Sequence, residues 1–341
     1  MVKNQWYNIS NILSRNALFN FVVGPRGAGK TYGAKKFCID RFIKYGEEFI
    51  YLRRFKTEIK KVKQKDHFYN DLIGYDNYKL ETKGNEFKIN DETAGYFSVL
   101  TTAKTEKSVS FDKVKWIIFD EFILDKGNYY YLQDEVTAFL EFYETVARLR
   151  DVKVIFISNA ITIANPYFIF FNIEKPYQKT IDLYYNSNAG YSRINKEKKN
   201  DPDIAVEFYE NEIYTDIKKK TRFGQLIAGT DYSDYAIEND MLRDSNAFLQ
   251  KKTRSICKYT LYINNKYVGV WFDKDEQAYY LSNDYTDNTY KFTFDKQLHD
   301  IDFILVDKSS FIYKSLYQYF MNGKLYFENA KVKSLYYDII K

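Results

Sequence analysis

Short apolar runs alternate with amphipathic stretches along the first half of the chain. The runs LFNFVV (residues 18–23), WIIF (116–119) and VIFI (154–157) have the length and composition of buried strands. The stretches TYGAKKFCIDRFIKY (31–45) and LQDEVTAFLEFYETVARLR (132–150) repeat apolar residues at helical spacing. This alternation predicts an α/β domain with a mostly parallel sheet over residues 1–190.

The pattern changes after residue 190. Residues 191–230 are polar and charged, with the runs NKEKKNDPD and KKKTR, and they predict a linker module. Further along, KYTLYINNKYVGVWFD predicts a hairpin that turns at Asn264 and Asn265, and QAYYLSND predicts another strand. The segment IYKSLYQYFMNG predicts a helix that stops at Gly323. Residues 231–341 are therefore expected to form a smaller α+β domain.

Composition narrows the function classes. The chain has 341 residues, a net charge of +5, and 34 Tyr and 28 Phe, which predicts folded, aromatic-rich domains. Two Cys without a C-x-x-C spacing and two His argue against a disulfide framework, a thiolate zinc site and a His-based triad. The most apolar region, residues 154–171, is interrupted by polar residues and proline. We expect a soluble, cytoplasmic protein with no membrane partner.

The segment GPRGAGKT, residues 24–31, has the G-x-x-x-x-G-K-T spacing of a phosphate-binding loop. It lies between an apolar run and an amphipathic stretch, which is the strand-loop-helix context that the motif requires. Backbone N–H groups of such a loop turn toward phosphates, Lys30 adds a point charge, and Thr31 places its hydroxyl on Mg²⁺. The alternative is an ordinary glycine-rich turn. The predicted ATP-binding residues are Gly24, Arg26, Gly27, Ala28, Gly29, Lys30 and Thr31.

Two acids, Asp120 and Glu121, follow the apolar run WIIF. At the C-terminal end of a buried parallel strand, the first acid is expected to hold Mg²⁺, directly or through water. The second can orient and deprotonate the attacking water. A nucleotide switch needs only the first acid, so Glu121 favours hydrolysis by a motor-type ATPase. A solvated pair of charges is the alternative.

Three polar residues near the third apolar run are candidate partners of this chemistry. Asn159 follows VIFI and is expected beside the Asp120 strand, where its amide would sense the γ-phosphate or hold the lytic water. Capping of the turn after the strand explains Asn159 equally well. Arg148 and Arg150 end the preceding amphipathic stretch. They either complement the C-terminus of a helix or reach the nucleotide of a neighbouring subunit.

Seven segments of the chain carry a family resemblance. In order, GPRGAGKT, YLRRFK, FDEFI, ISNA, NPYFIFF, TRFGQLIAGTDY and FMNGKLYFEN resemble the DNA-encapsidation ATPase of small, phi-29-type tailed phages. The first and third segments are shared by many ring ATPases, whereas the last three are far more specific. The resemblance covers nearly the full chain.

The resemblance implies an additional-strand P-loop ATPase that uses ATP and Mg²⁺. It implies a homo-oligomeric ring, with a pentamer as the expected size, that docks transiently on the portal of an empty prohead in the host cytoplasm. The ring would drive double-stranded DNA into the prohead. Participation of a structural packaging RNA stays open at this point, and the chain is not expected in the mature virion.

The resemblance also assigns roles to residues of the nucleotide site. It makes Lys30 and Thr31 the phosphate and Mg²⁺ ligands, and Asp120 a residue that holds Mg²⁺ directly or from the second coordination shell. Glu121 becomes the catalytic base.

Other roles that the resemblance implies lie outside one subunit's own site. Lys104 and Arg148 fall near positions that the family uses in trans across the subunit interface, with Arg150 as the second choice.

The stretch YLRRFKTEIKKVKQK resembles a DNA-gripping segment, in which Lys56 is the first candidate. Contacts would go to DNA phosphates because a packaging motor must accept any sequence. A solvated helix face is the alternative. The predicted DNA-binding residues are Lys56, Lys60 and Lys61.

In related packaging enzymes an RNase H-like nuclease follows the ATPase domain. Its chemistry needs carboxylates that converge on two metal ions. The candidate first strand, residues 258–263, has no acid, and the nearby acids cluster at predicted turns. We therefore expect a vestigial nuclease fold that binds nucleic acid. The acids at these turns are Asp273, Asp275, Asp284 and Asp287.

Two other functions share the loop, the acid pair and the basic segment. One is a DNA helicase or helicase loader. The other is a nucleotide-gated adaptor that orders an assembly by binding nucleotide without hydrolysing it. Glu121 after Asp120 is the feature against the adaptor.

Overall fold

The computed structural model describes most of the chain, which divides into two compact units. The first unit comprises Met1–Thr162 and Pro166–Leu242, and the second comprises Ile163–Asn165 and Arg243–Lys341. The described residues are 7–63, 67–102, 111–124, 132, 135–159, 165–173, 181–187, 190–194, 201–210, 212–230, 252, 254–287, 290–298 and 302–340.

A ten-stranded sheet forms the frame of the first unit. Its strands are β1 (Phe19–Gly24), β2 (Glu48–Arg53), β3 (Leu80–Lys83), β4 (Glu86–Ile89), β5 (Glu92–Val99), β6 (Val114–Asp120), β7 (Lys153–Asn159), β8 (Ile181–Ser187), β9 (Gly190–Ser192) and β10 (Ile204–Phe208). Their order across the sheet is β3-β4-β5-β2-β6-β7-β1-β10-β8-β9. Neighbours from β5 to β10 pair in parallel, and the outer strands pair antiparallel. The predicted mostly parallel sheet is confirmed.

Seven helices of the first unit lie within the described residues. They are α1 (Ser10–Leu13), α2 (Lys30–Tyr45), α3 (Lys56–Lys63), α4 (Glu135–Ala147), α5 (Pro166–Phe170), α6 (Glu212–Lys220) and α7 (Arg222–Ile227). The predicted helices over 31–45 and 132–150 correspond to α2 and α4. A glycine ends α2, because Gly46 adopts a left-handed conformation (φ +68°) and donates its N–H to the Phe42 carbonyl at 2.7 Å.

Aromatic side chains fill the centre of the first unit. Every residue of β1 and β2 is buried, as expected for strands covered on both faces. The Phe21 and Phe156 rings stack at 4.1 Å between centroids, and Phe119 stacks on Phe139 of α4 at 5.8 Å. Because aromatic side chains bury large areas in fixed geometries, this core holds the central strands in one arrangement. The high Phe content of the chain is explained in part by this cluster.

The predicted linker at residues 191–230 belongs to the large sheet instead of forming a separate module. Its strand β10 pairs in parallel with β1, from Phe19 opposite Ile204 to Val23 opposite Phe208. The helices α6 and α7 follow within the same unit. The run IAVEF is apolar enough to enter a sheet, although polar segments surround it.

A six-stranded sheet forms the second unit. Its strands are β11 (Ile256–Ile263), β12 (Lys266–Asp273), β13 (Ala278–Ser282), β14 (Lys291–Thr293), β15 (Ile304–Leu305) and β16 (Leu325–Phe327). The order is β15-β14-β11-β12-β13-β16, and only β12 runs antiparallel to its neighbours. The first five strands thus have the order and directions of an RNase H-like sheet. The described part of this unit also contains two α-helices, α8 (Phe311–Met321) and α9 (Ala330–Ile340), and a short 3-10 helix, Lys296–Leu298.

The three local predictions for the second unit are confirmed, and the segment QAYYLSND contains the predicted strand as β13. The hairpin of β11 and β12 turns at Asn264 and Asn265, whose positive φ angles of +47° and +60° suit a tight turn. Helix α8 begins after Ser310, whose hydroxyl accepts the Tyr313 N–H, and the chain leaves it at Gly323 (φ +67°).

No helix among the described residues is long and apolar enough to cross a membrane.

Candidate functional site

The glycine-rich loop joins β1 to α2 and encloses the Lys30 ammonium. Gly27 and Gly29 both have φ +83°, a conformation that side-chain-bearing residues rarely adopt. Lys30 is buried, and its Nζ donates to the carbonyl oxygens of Gly24 at 2.9 Å and Pro25 at 2.7 Å. The loop therefore surrounds a fixed positive charge at the positive end of α2.

Asp120 ends β6 directly beside this loop. One carboxylate oxygen, Oδ1, accepts hydrogen bonds from the Thr31 hydroxyl at 3.2 Å and the Glu121 N–H at 3.1 Å. The other, Oδ2, accepts from the Tyr51 hydroxyl at 2.6 Å. Burial raises the pKa of Tyr51, so this hydroxyl remains a donor. The two side chains that were predicted to hold Mg²⁺ are thus in contact, while their binding of the ion stays a prediction.

Arg53 occupies the centre of the acid cluster. Its guanidinium lies 3.2 Å from Asp120, 2.7 Å from Glu121 and 3.4 Å from Glu58 of α3. Desolvation raises the pKa of the Glu121 carboxyl, Arg53 lowers it and Asp120 raises it, with a net upward shift. Arg53 therefore holds the predicted base by its carboxylate, and the upward shift suits a general base.

The basic stretch that was expected to grip DNA divides into two parts in the structure. Arg53 and Arg54 are buried and face the acids. Helix α3 begins at Lys56, and its residues Lys56 and Lys60 are exposed. Lys61 lies on the same helix, but its side chain falls outside the described residues. Among the described residues of the stretch, the helical part offers a basic surface.

Asn159 ends β7 opposite Gly24 in the parallel register of β1 and β7. Because β6, β7 and β1 are parallel neighbours, their C-terminal ends share one edge of the sheet. Asn159 is half-buried at that edge, beside the phosphate loop. The sequence-based expectation for its location is confirmed, while its contact with a phosphate or a water stays a prediction.

Arg148 and Arg150 lie at the other edge of the sheet, where α4 ends and β7 begins. A seven-residue strand such as β7 spans about 20 Å, so neither arginine is near the loop of its own chain. The Arg148 backbone is left-handed (φ +51°) and its side chain is exposed. Arg148 therefore lies away from the loop of its own chain, and its action in trans stays a prediction.

Arg150 has a different environment from Arg148. Its guanidinium donates to the carbonyls of Phe111 at 2.8 Å, Val114 at 2.9 Å and Val146 at 2.6 Å, and also to that of Asp112. These bonds tie the last turn of α4 to the segment that leads into β6. They favour the helix-capping alternative for Arg150 over a role as an arginine finger. Lys104, the other residue predicted to act in trans, lies outside the described residues.

Several residues at the site were not predicted from the sequence. Tyr51 and Arg53 share one face of the sheet, as their alternate positions in β2 predict, and both contact Asp120 at the end of β6. On the other side of the loop, the Tyr214 hydroxyl of α6 donates to the Arg26 carbonyl at 3.0 Å, and Lys218 Nζ lies 3.5 Å from the same oxygen. No sequence signal links α6 to the loop, because the two are far apart in the chain.

The residues present fit ATP and Mg²⁺. A Cβ at Gly27 would lie 2.6 Å from the Tyr214 hydroxyl, so a side chain there would require the tip of Tyr214 to move. A loop of this kind presents backbone N–H groups to phosphates, and Lys30 supplies the neutralising charge. The Thr31 hydroxyl and the Asp120 carboxylate are the oxygen donors that Mg²⁺ prefers. Bound at this edge, Mg²⁺ would offset the charge of the phosphates.

The acids of the second unit do not form a comparable group. Asp273 accepts the backbone N–H groups of Asp275 and Glu276, and Asp284 pairs with Lys252 at 2.8 Å. Within the described part of the chain, no group of three or more His, Cys, Asp or Glu side chains could hold a metal ion. These contacts are those of turn residues, as the sequence suggested.

The class of the protein follows from the position of β7. A strand inserted between the loop strand β1 and the acid strand β6 is the arrangement of additional-strand P-loop ATPases, and the first unit is an ATPase domain of that class. The chain belongs to the podovirus DNA encapsidation protein (Gp16) family, whose family model matches residues 1–341.

Relatives of known role resemble the chain over its full length. The DNA packaging protein of Bacillus phage phi29 is 34% identical over 347 residues, which cover 100% of this chain and 98% of that protein. A chain in the bacteriophage Phi-29 viral genome packaging motor assembly matches with a TM-score of 0.75 and 32% identity, over 98% of both chains.

A solved structure of one domain also matches. It is the crystal structure of the N-terminal domain of the DNA packaging ATPase from bacteriophage phi29, with a TM-score of 0.52 and 37% identity. The match covers 61% of this chain and 97% of that domain. The resemblance seen in the seven sequence segments is confirmed, and it favours the packaging function over the helicase and adaptor alternatives.

The environment of Lys30 predicts a pH dependence of nucleotide binding. Burial lowers its pKa to about 8, with Asp120 raising it and Lys218 lowering it. Bound phosphates favour the ammonium form and raise this pKa, so binding at pH near 8 should take up protons. Affinity should fall as the pH rises through about 8. Calorimetry of ATP-analogue binding in buffers of different ionisation enthalpy measures the uptake.

The control for this titration is Lys44→Ala, which removes an exposed lysine from the far end of α2. Its proton uptake should equal that of the unmodified protein. Affinity that stays constant across this pH range would contradict the assignment to Lys30.

Proposed function

We propose that the chain is the ATPase of a phage DNA-packaging motor and couples ATP hydrolysis to translocation of double-stranded DNA into a prohead. The observation that carries this proposal is the position of Arg53. One guanidinium contacts Asp120 and Glu121 at the nucleotide site and Glu58 in the first turn of the basic helix α3. A change in the position of these acids therefore alters, through Arg53, the contacts of the helix that bears Lys56.

The residues at the C-terminal edge of the sheet, beside the phosphate loop, each have a separate role in ATP hydrolysis. Lys30 neutralises phosphate charge, and Thr31 with Asp120 holds Mg²⁺. Glu121 accepts the proton of the attacking water. For this, its carboxylate must either break its ion pair with Arg53 or contact Arg53 and the water at the same time. Asn159 orients this water or contacts the γ-phosphate from the end of β7. The ion pair of Glu121 with Arg53, at 2.7 Å, represents a resting arrangement of the base.

DNA is held by the exposed face of α3. Lys56 and Lys60 are exposed there, and Lys61 belongs to the same helix. Lysines act as point charges toward phosphates and read no bases, which suits a motor that moves any sequence. Glu58 accepts the Phe55 N–H at 2.6 Å and so fixes the start of the helix next to Arg53.

In the assembled ring, residues of a neighbouring subunit complete the nucleotide site. The exposed Arg148 of one subunit serves the nucleotide of its neighbour, and Lys104 assists in trans. The ring, a pentamer, docks on the portal of the prohead in the infected host cell and leaves before the virion matures. A structural packaging RNA is a partner at this docking site. The full-length similarity to a chain of the phi-29 motor assembly supports this proposal.

The second unit binds nucleic acid without cutting it. Its sheet has the RNase H-like order, but the central strand β11 carries no acid. A two-metal nuclease would need carboxylates converging on that strand. The retained fold then serves as a binding surface.

The hydrolysis proposal predicts different losses for the cradle and the base. Lys30→Ala should abolish both nucleotide binding and turnover, because it removes the charge that neutralises the phosphates. Glu121→Gln should bind ATP with unchanged affinity and turn it over about 10²–10⁴-fold more slowly, since only proton transfer is lost. Fluorescent-nucleotide titration and phosphate release, with and without DNA and proheads, measure the two effects. Normal turnover by Glu121→Gln would refute the base assignment.

The DNA proposal predicts a uniform loss for Lys56→Ala. Affinity should fall by a similar factor on unrelated duplexes, and the slope of log affinity against log salt should decrease by about 1, because one fewer counterion is released. Lys44→Ala, which removes an exposed lysine at the end of α2, is the matched control and should leave the slope unchanged. A sequence-selective effect of Lys56→Ala would speak against phosphate contacts.

The ring proposal predicts complementation between two inactive variants. Arg148→Ala and Glu121→Gln should each lose turnover alone, the arginine by as much as about 10³–10⁵-fold. Mixed rings should recover activity, because the intact Glu121 of an Arg148→Ala subunit receives Arg148 from its neighbour. Arg150→Ala is the contrasting variant, which should mainly lower the free energy of unfolding, by roughly 1–3 kcal/mol. Co-assembled mixtures without any activity would exclude the trans role.

A further inference from the structure

Arg54 follows the arginine that holds the Glu121 carboxylate, and it contacts the same acid from behind. Its side chain is fully buried. Nη1 donates to the Glu121 carbonyl at 3.2 Å, and Nη2 donates to the Phe122 carbonyl at 2.8 Å. Arg53 and Arg54 thus divide their contacts, since the first binds the side chain of Glu121 and the second binds its backbone.

The backbone that Arg54 holds has an unusual conformation. Glu121 has φ +59°, in the left-handed region that a residue with a long side chain rarely enters. Such a conformation persists only where surrounding contacts over-determine it. Besides Arg54, the Phe122 N–H donates to the Ile157 carbonyl at 3.3 Å. This turn directs the Glu121 carboxylate away from the line of β6 and back toward Arg53.

Glu135, the first residue of α4, fixes the Arg54 guanidinium. The pair is bidentate, with Nε to Oε2 at 2.8 Å and Nη2 to Oε1 at 2.7 Å, and neither side chain is exposed. Glu135 also accepts from the Leu132 N–H at 2.9 Å and the Tyr167 hydroxyl at 3.1 Å. The guanidinium therefore has one orientation, in which its remaining donors meet the two carbonyls.

Stability alone does not require this pair. A buried ion pair is often no more stabilising than apolar side chains of similar volume, because desolvation of both charges is costly. Apolar residues would fill the space but would donate nothing to the carbonyls after Asp120. The feature that only the arginine supplies is the pair of bonds to the Glu121 and Phe122 carbonyls.

We propose that Arg54, oriented by Glu135, is a positioning residue for hydrolysis. It keeps Glu121 in its left-handed conformation and holds the Glu121 carboxylate at the C-terminal edge of the sheet, beside the phosphate loop. This inference rests on the proposed role of Glu121 as the base. Arg54 touches neither nucleotide nor water itself. Its loss should therefore lower kcat and leave nucleotide affinity unchanged.

The double variant Arg54→Met/Glu135→Leu separates positioning from folding. It replaces the ion pair with apolar side chains of similar size, but the Leu132 N–H, the Tyr167 hydroxyl and the two carbonyls lose these partners, so the midpoint of thermal unfolding should fall while the fold is retained. ATP-analogue affinity should also be retained. Turnover by the full chain with DNA and proheads should fall by about 10–100-fold, as expected when a supporting contact of a catalytic group is lost. Unchanged kcat in a folded double variant would overturn the proposal.

Two single variants complete the test. Arg54→Lys keeps the charge beside Glu135 but lacks the planar fork, so kcat should fall about tenfold without loss of nucleotide binding. This variant decides the question if the double variant does not fold, and full activity of Arg54→Lys would then overturn the proposal. Tyr167→Phe removes a donor to Glu135 and leaves Arg54 in place, so its kcat should match that of the unmodified protein. A loss of kcat in Tyr167→Phe equal to that in the Arg54 variants would assign the effect to the network as a whole and contradict a specific role of Arg54.

Glu121→Gln, measured in parallel, separates the two hypotheses. If Glu121→Gln retains turnover, the proposed base is wrong. If Glu121→Gln loses turnover and the Arg54 variants retain it, the base stands and the positioning role fails.

Discussion

Parallel pairing of β1, β7 and β6 is the constraint on which the site depends. In parallel strands all C-terminal ends meet at one edge, so three segments distant in sequence deliver the phosphate loop, Asn159 and Asp120 to the same place. The stacked rings of Phe21 and Phe156 hold neighbouring strands in this register. A slip of one residue would turn the buried aromatic side chains to the opposite faces of the sheet and withdraw Asp120 from Thr31.

Charge balance at this edge explains why two arginines follow β2. Asp120 is buried and Glu121 is about half exposed, and their adjacent carboxylates repel each other. Arg53 contacts both carboxylates, and Arg54, which is paired with Glu135, donates to the backbone carbonyls of Glu121 and Phe122. Because the compensating charges come from the strand that leads directly into α3, the nucleotide site and this basic helix share one short segment of chain. A rearrangement of the acids cannot occur without altering the contacts of that segment.

Sequence patterns predicted the elements that depend on local composition and the contacts that follow from parallel topology. The loop, the acid pair, the place of Asn159 and the hairpin at Asn264 all belong to this group. Arg53 and Tyr51 were not predicted as site residues because a run of basic residues suggested a surface, although their spacing along a strand places both on one face of the sheet. Strand β10 was not predicted for another reason. A five-residue apolar run inside a polar segment is recognised as a strand only when its pairing partner near the start of the chain is known. The different environments of Arg148 and Arg150 depend on the positions of backbone carbonyls around the end of α4, which no sequence pattern predicts.

The pairing of β10 with β1 has a consequence for how the protein is made. Strand β1 is synthesised early, yet one of its two neighbours is the last parallel strand of the sheet. Until β10 emerges from the ribosome, β1 has an open, apolar edge, and exposed edges of this kind recruit other chains. Native pairing of such distant segments is also slow, because a long loop must close before the contact forms. The first unit can complete its sheet only after residue 208 has been made, and a fragment cut at the polar segment after residue 190 would retain the exposed edge permanently.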